Sequence, residues 1–226
     1  MVALILADGD VPARARLDIA WPGWDAGVDL VIAADGGARH AARLGVTLDL
    51  WVGDGDSLGD EGIADLAAGG VPIERSPAEK DQTDLELAVD AALARGAGGL
   101  VIVGALGGER VDHALANVAL LARADLAGRP VVLLDGTARL SLVRAPDRAG
   151  GPVRAILAGE PGTTVSLLPV GGDVTGVTTD GLVYPLDDEP LLLGSARGVS
   201  NVVARSGASV TVRHGFLLVV GSPATL

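Results

Sequence analysis

Two aspartates flank a glycine in the stretch Gly53–Ser57, which directly follows a short apolar run ending at Val52. In an extended loop, carboxylates two residues apart lie about 6–7 Å apart on one side of the backbone. Asp54 and Asp56 can therefore both reach one hydrated Mg²⁺, or two neighbouring ones, because this ion takes hard oxygen ligands and retains several waters. An Asp- and Gly-rich surface turn is the alternative interpretation of these residues.

The second acidic stretch, Lys80–Asp84, precedes a run with apolar side chains at helical spacing. Asp81 and Asp84 lie about one helical turn apart, so both can face the same metal. Lys80, the only lysine in the chain, can hold a phosphate oxygen as a point charge. Thr83 and a glutamate three residues later also fit a capping box, so helix capping is the alternative role for this stretch.

A third candidate segment combines the glycine pair Gly107-Gly108 with Arg110 and Asp112-His113. Backbone amides of a glycine pair before a helix can cradle phosphate. A surface ion pair at the start of a helix explains Arg110 and Asp112 equally well.

Apolar runs alternate with helical patterns over the first part of the chain. Strands are predicted at 2–7, 30–34, 50–52, 71–75, 100–103 and 131–134, and helices at 38–44, 63–68, 85–93 and 114–124. This alternation indicates a three-layer α/β domain with a parallel sheet. Ligands bind outside the carboxyl ends of such strands. Six carboxylates are expected near that edge, and they repel each other unless cations compensate: Asp35, Asp54, Asp56, Asp81, Asp84 and Asp112.

The pattern changes after a Gly- and Pro-containing linker at Pro146–Pro152. Short β-branched runs then recur, at 163–168, 174–178, 182–186, 199–204, 210–213 and 216–220. They predict an all-β sandwich or barrel. The expected domains are therefore an α/β domain over residues 1–147 and a β-sandwich over residues 148–226.

Composition excludes several classes of partner. The 226 residues are 49% hydrophobic and carry a net charge of −12, which argues against nucleic-acid or anionic-membrane partners. The chain has no cysteine, so thiolate metal sites and a cysteine nucleophile are excluded. With no apolar run near 18 residues and no basic N-terminal region, a cytoplasmic protein is expected.

Six motifs resemble those of the thiamine pyrophosphokinase family in order and spacing. They are Ala34–Gly37, Gly53–Ser57, Lys80–Asp84, Gly104–Gly108 with Asp112-His113, Gly181–Leu186 and Gly194–Asn201. The resemblance implies an α/β ATP-binding domain followed by a β-sandwich. It also implies Mg²⁺-dependent transfer of the diphosphate of ATP to the hydroxyl of thiamine, with AMP released. The expected assembly is a homodimer with active sites between one subunit's α/β edge and the other's sandwich.

The resemblance also assigns roles to individual residues. The catalytic and metal-binding residues would be Asp54, Asp56, Asp81 and Asp84. The nucleotide-binding residues would be Asp35, Gly36, Gly37, Ser57, Lys80, Gln82, Thr83, Arg110, Asp112 and His113. Thiamine would meet Tyr184, Ser200 and Asn201. A sandwich-core aromatic with a solvated hydroxyl is the alternative role for Tyr184.

Two other functions fit the same residues. The diphosphate could pass to another hydroxymethyl acceptor, such as a pterin. A thiamine- or nucleotide-binding sensor could also retain the fold without catalysis, although a pure binder has no evident need for so many carboxylates.

Overall fold

The computed structural model describes residues 1–146 and 149–224. Contacts divide the chain into two compact units, Met1–Leu120 with Arg129–Gly136 and Leu121–Gly128 with Thr137–Leu226. The boundary predicted between residues 147 and 148 lies outside the described residues. The strand Arg139–Ala145, placed by that prediction in the first domain, pairs with His214–Ser222 and belongs to the second unit.

Six parallel strands form the sheet of the first unit. In chain order they are β1 (Val2–Leu6), β2 (Val28–Ala34), β3 (Leu50–Gly53), β4 (Ile73–Arg75), β5 (Gly99–Val103) and β6 (Val131–Leu134). Their spatial order is β4-β3-β2-β1-β5-β6, and every pair is parallel. The predicted parallel sheet is confirmed, and each strand lies where an apolar run predicted it.

Five α-helices connect these strands. They are α1 (Arg14–Ala20), α2 (Ala41–Leu44), α3 (Gly59–Ala68), α4 (Asp84–Ala94) and α5 (Val111–Leu120). The helix predicted at 38–44 begins instead as a 3₁₀ segment, Asp35–His40, and only its end is α-helical. Helix α1 was not predicted, because its N-cap residue Ala13 makes no side-chain capping bond and gives no start signal.

The strands of the first unit are apolar because the core surrounds them. Leu4, Leu6 and Trp51 are fully buried in one cluster. The Trp51 ring still needs a hydrogen-bond acceptor, and its Nε1 donates to the carbonyl oxygen of Asp35 at 3.0 Å. The core of the sheet is therefore bonded directly to the residue that follows β2.

The start of helix α4 is fixed by a capping box. Thr83 Oγ1 accepts from the Glu86 amide at 3.2 Å, and Glu86 Oε2 accepts from the Thr83 amide at 2.9 Å. The predicted cap is confirmed. Because the helix starts at a defined residue, the side chain of Asp84 leaves the first turn in a fixed direction.

The second unit is mainly antiparallel β structure. Its strands are β7 (Arg139–Ala145), β8 (Val153–Ile156), β9 (Thr164–Asp180), β10 (Glu189–Leu191), β11 (Asn201–Val202), β12 (Ser209–Val212) and β13 (His214–Ser222). Buried valines and leucines from most of these strands form one core. The predicted all-β second half is confirmed.

The 17-residue strand β9 organises this unit. Its first part pairs with β13 and its last residues pair with β12, so one long strand joins two sets of antiparallel strands. Two separate strands had been predicted here, because Gly171 and Gly172 interrupt the β-branched pattern. The strand predicted at 182–186 is reduced to a single bridge between Leu182 and Val203.

Replacing Trp51 tests the bond between the core and the residue after β2. We expect Trp51→Phe to lower the free energy of unfolding by about 1–3 kcal/mol, because the Asp35 carbonyl is left buried without its partner. Urea unfolding followed by circular dichroism measures the change. Trp24→Phe is the matched control, because the Asp18 carboxylate that it releases is exposed to water. An equal loss in both variants would contradict this interpretation.

Candidate active site

Four aspartates from three separate segments converge beyond the carboxyl ends of the strands. They are Asp35, Asp54, Asp56 and Asp84. Each contributes one carboxylate oxygen, and these oxygens all lie within 4.8 Å of one another. We call these four residues the carboxylate group. It brings together three of the four predicted metal ligands, while Asp81 is exposed on the loop before α4 and lies outside the group.

Asp35 is the buried member of the carboxylate group. It is 2% exposed, and its backbone has a φ of 41°, in the left-handed region that few non-glycine residues adopt. Its carboxylate accepts hydrogen bonds from the amides of Ser57 at 2.9 Å and Leu58 at 3.2 Å. Burial raises the pKa of Asp35, although the two amides oppose the shift. Asp35 thus holds the acidic loop, and it also lines the cavity described below, so its predicted nucleotide contact stays a prediction.

The acidic loop is a turn, not the extended segment that the sequence suggested. The amide of Asp56 donates to Asp54 Oδ1 at 3.1 Å, which folds the second carboxylate back towards the first. Gly55 between them has a φ of 87°, and a Cβ there would lie 2.4 Å from Ile63 Cδ1. The dihedral angle favours glycine at this position, and a larger side chain would also have to displace the end of the Ile63 side chain.

Lys80 is the cation within the carboxylate group. Its Nζ bonds to Asp54 Oδ2 and lies 3.1 Å from Asp84 Oδ1. The hydrogen bond from Lys80 lowers the pKa of Asp54, whereas burial raises the pKa of Asp84 in spite of Lys80. The ion pair with Asp84 lacks hydrogen-bond geometry, so the buried Asp84 Oδ1 has no hydrogen-bond partner.

The donor set of the group fits a hard divalent cation. Every oxygen that the group offers belongs to a carboxylate, the kind of ligand that Mg²⁺ prefers. Among the described residues, the buried Asp84 Oδ1 has the ion pair with Lys80 but no partner in good hydrogen-bond geometry, and a metal would supply a ligand bond there. The site residues therefore suit the predicted Mg²⁺.

A cavity of about 450 Å³ opens beside the carboxylate group, entirely within the first unit. Several predicted nucleotide-binding residues line it: Ser57, Lys80, Gln82, Thr83, Arg110 and His113. Gln82 donates to Asp90 Oδ2 at 2.7 Å, and the hydroxyl of Thr83 is part of the helix cap. Thr83 therefore caps helix α4 and also lines the cavity, so the capping role and the predicted nucleotide contact are compatible.

Glycines allow the loops around the cavity to pack closely. A Cβ on Gly9 would lie 2.4 Å from the carbonyl oxygens of Gly104 and Gly107. Gly36 and Gly37, predicted to bind nucleotide, pack in the same way against the end of β1, where a Cβ would lie 2.1 Å from Asp8 Oδ1 and 2.0 Å from Leu6 O. These close approaches favour glycine at both positions, and the predicted nucleotide contact stays a prediction.

Arg110 pairs with Asp112 through two hydrogen bonds of 2.9 and 2.6 Å. The pair is exposed, and Arg110 lowers the pKa of Asp112 well below its usual range. Arg110 also lines the cavity. The surface ion pair and the phosphate-facing arginine are therefore compatible, because one guanidinium has donors for both.

Three residues at the cavity and its edge were missed by sequence reasoning. Asp8 follows β1 as Asp35 follows β2, a signal that could have been used. Arg39 links Asp8 to the acidic loop: one guanidinium nitrogen donates to Asp8 Oδ1 at 3.2 Å and the other donates to the Ser57 carbonyl. Asn117 lines the cavity and donates to the Ala105 carbonyl at 2.9 Å, and no sequence pattern pointed to it.

The predicted thiamine residues lie in the second unit. Asn201 is 7% exposed, and its side chain accepts from the Tyr184 amide at 3.0 Å and donates to the Tyr184 carbonyl at 2.6 Å. The ring of Tyr184 itself is 60% exposed. Ser200 has a φ of 60°, and its amide donates to Ser166 Oγ at 3.1 Å. The structure thus brings Tyr184 and Asn201 together and leaves the tyrosine ring free to contact a ligand.

An acidic group beside a glycine-lined cavity, at the carboxyl ends of parallel strands, is typical of enzymes that transfer phosphoryl groups from a nucleotide. The family model described as the thiamin pyrophosphokinase catalytic domain matches residues 24–133. The model described as the thiamin pyrophosphokinase vitamin B1 binding domain matches residues 155–217. The chain therefore belongs to the thiamin pyrophosphokinase family, and the resemblance seen in its motifs is confirmed.

Individual relatives agree with this assignment. A thiamine pyrophosphokinase of Bacillus subtilis is 29% identical over 193 residues, covering 85% of this chain and 87% of the relative. Thiamine pyrophosphokinase 1 of rice, Oryza sativa subsp. japonica, is 27% identical over 209 residues, covering 83% and 76%. A crystal structure of thiamine pyrophosphokinase from Bacillus subtilis covers 99% of each chain, with a TM-score of 0.81 and 26% identity.

The predicted enzyme class, an ATP-dependent diphosphotransferase, is that of the family. The comparisons favour neither another hydroxymethyl acceptor nor a non-catalytic sensor. Among the described residues, no helix has the length and apolar character needed to cross a membrane.

Replacing Asp84 tests the electrostatics of the carboxylate group in metal-free protein. The pKa of folded Asp84 is raised above its ordinary value of 3.8, so its charge disfavours folding at neutral pH and has no effect below both values. We expect Asp84→Asn to raise the midpoint of thermal unfolding in chelator at neutral pH, and the gain to disappear on acidification. Asp65→Asn, which removes an exposed charge from α3, is the control. A lower midpoint for Asp84→Asn at neutral pH would contradict this expectation.

Proposed function

We propose that the chain transfers the diphosphate of ATP to the hydroxyl of thiamine, giving thiamine diphosphate and AMP. The observation that carries this proposal is the carboxylate group, four aspartates within 4.8 Å beside a cavity of about 450 Å³. Relatives named thiamine pyrophosphokinase support the choice of acceptor. We place the enzyme in the cytoplasm, because its co-substrate is ATP.

In this reaction the thiamine hydroxyl oxygen attacks the β-phosphorus of ATP. The bond from that phosphorus to the oxygen of the α-phosphate breaks, AMP leaves, and the hydroxyl proton passes to a carboxylate of the group. The protein contributes little covalent chemistry of its own, so its task is to hold the two reactants in line and offset charge. A rigid site made of strand ends and a helix start suits that task.

Asp54, Asp56 and Asp84 would hold Mg²⁺, with Asp35 positioning the loop behind them. The fourth aspartate of the group is therefore Asp35, in a positioning role, and not Asp81, which the sequence had predicted as a metal ligand. Bound Mg²⁺ would neutralise the charge of the phosphates. Lys80 and Arg110 are the cavity-lining cations that can contact phosphate oxygens directly, with Ser57, Gln82, Thr83 and His113 along the nucleotide.

On the thiamine side, the exposed ring of Tyr184 is suited to a cationic thiazolium or the neighbouring pyrimidine. A tyrosine face attracts a cation by about 0.5–2 kcal/mol, depending on desolvation. Asn201 would act by fixing the backbone of Tyr184, since both of its polar atoms already bond to that residue. Ser200 lies next to it with an exposed side chain.

A homodimer with shared active sites is the proposed assembly. Helix α5 of the first unit has an exposed face that presents Val111 and Leu115, 70% and 66% exposed, close in sequence to the cavity-lining Arg110 and His113. In the second unit, large apolar side chains are exposed near the predicted thiamine residues in sequence: Val183, Leu192, Leu193 and Val199. Exposed apolar side chains on both units are typical of surfaces that bind a partner, and a second copy would cover them.

Asp56→Asn is expected to reduce turnover by about 10²-fold or more, because it removes one negative ligand of the metal and phosphate site. AMP formation that depends on thiamine is the measurement. Asp60→Asn is the matched control, because this nearby aspartate pairs with Arg75 outside the group. Full activity in Asp56→Asn would reject the site, and ADP as the coproduct would reject the reaction.

Subunit complementation tests the shared site. We expect Asp56→Asn and Tyr184→Ala to be impaired separately. Mixed in equal amounts and allowed to exchange, they should restore about a quarter of the wild-type sites, because half of the dimers are mixed and each then has one intact site. Activity that stays at the sum of the two variants, although mass spectrometry shows mixed dimers, would contradict a site between subunits.

A further inference from the structure

The ammonium group of Lys80 contacts two of the carboxylates that would hold a metal. Its Nζ contacts Asp54 Oδ2 and lies 3.1 Å from Asp84 Oδ1, both members of the carboxylate group. The three side chains are only 14%, 11% and 25% exposed, so water screens them little. Lys80 is thus built into the group as its internal cation.

A divalent metal and this ammonium cannot use the same oxygens. Mg²⁺ needs its ligand oxygens at about 2.0–2.1 Å in near-octahedral geometry. An ammonium bonded to Asp54 and beside Asp84 would then lie within a few Å of the metal, and two like charges at about 4 Å repel strongly in a partly dry site. The two cations therefore compete for these carboxylates, and arrival of the metal favours movement of the ammonium away from them.

The side chain of Lys80 has a place to go. It lines the cavity as well as bonding to the group, and a lysine stem has four flexible carbons. Asp84 Oδ1, which Lys80 approaches without hydrogen-bond geometry, has no other hydrogen-bond partner. The contact on that side is therefore the weaker one, and a metal ligand bond would replace it at little loss.

We propose that Lys80 is a placeholder cation, a positioning residue that holds Asp54 and Asp84 together until a divalent metal displaces it into the cavity. This inference rests on the proposed Mg²⁺ site. It assigns Lys80 a task before the nucleotide binds, in addition to the phosphate contact proposed above. The metal-free and metal-bound sites then each contain a cation among the carboxylates.

Metal affinity without nucleotide gives the first test. We expect Lys80→Met to bind Mg²⁺ with a Kd about tenfold lower than wild type by calorimetry, because the competing charge has gone. Arg110→Gln removes a positive charge from the same cavity but not from the group, and its Kd should stay within about twofold of wild type. An unchanged or higher Kd in Lys80→Met would overturn the proposal, because Lys80 would then only support the structure.

Because the chain has a single lysine, a second test can use the wild-type protein and does not depend on whether a variant folds. Protein labelled with ¹³Cε-lysine gives one side-chain NMR signal, from Lys80 alone. We expect Mg²⁺ to shift this signal with the same Kd that calorimetry gives. A signal that does not move while Mg²⁺ binds would overturn the placeholder role and leave the metal site standing. Absence of any Mg²⁺ binding to the wild-type chain, with or without ATP, would instead reject the metal site itself.

Discussion

The site of the first unit has to overcome the mutual repulsion of four carboxylates, each with one oxygen within 4.8 Å of the others. A parallel sheet directs the ends of neighbouring strands to one edge, so acids that follow those strands meet there whatever their separation in sequence. Two backbone amides on Asp35 and the ammonium of Lys80 offset part of that charge. The remainder is an unfavourable arrangement that a divalent metal would relieve.

Close loop packing is the second requirement of the site. Gly9, Gly37 and Gly55 lie where a Cβ would overlap a neighbouring atom. Without side chains, the loops that carry these glycines can approach the loop after β5, the end of β1 and helix α3, respectively. Strain is also kept here, since Asp35 adopts a left-handed backbone conformation that costs free energy. Sites of this kind exchange stability for function.

In the second unit, pairing along one long strand and a buried asparagine hold the structure around the predicted thiamine residues. Strand β9 pairs with both β12 and β13. The backbone of Tyr184 is held by hydrogen bonds to the buried side-chain amide of Asn201. A buried asparagine whose polar atoms are bonded is a rigid support. The exposed tyrosine ring is therefore presented by a stiff element, although it lies outside regular strand structure.

The sequence by itself determined the strand order along the chain, the change from α/β to all-β, the capping box at Thr83 and the family, because burial periodicity and motif spacing are local properties. Tertiary structure decided the rest. Asp35 rather than Asp81 joins the carboxylate group, and β9 is one strand rather than two. Distances between loops depend on how distant strands pair, and side-chain direction depends on turns such as Asp54–Asp56, which spacing alone does not specify.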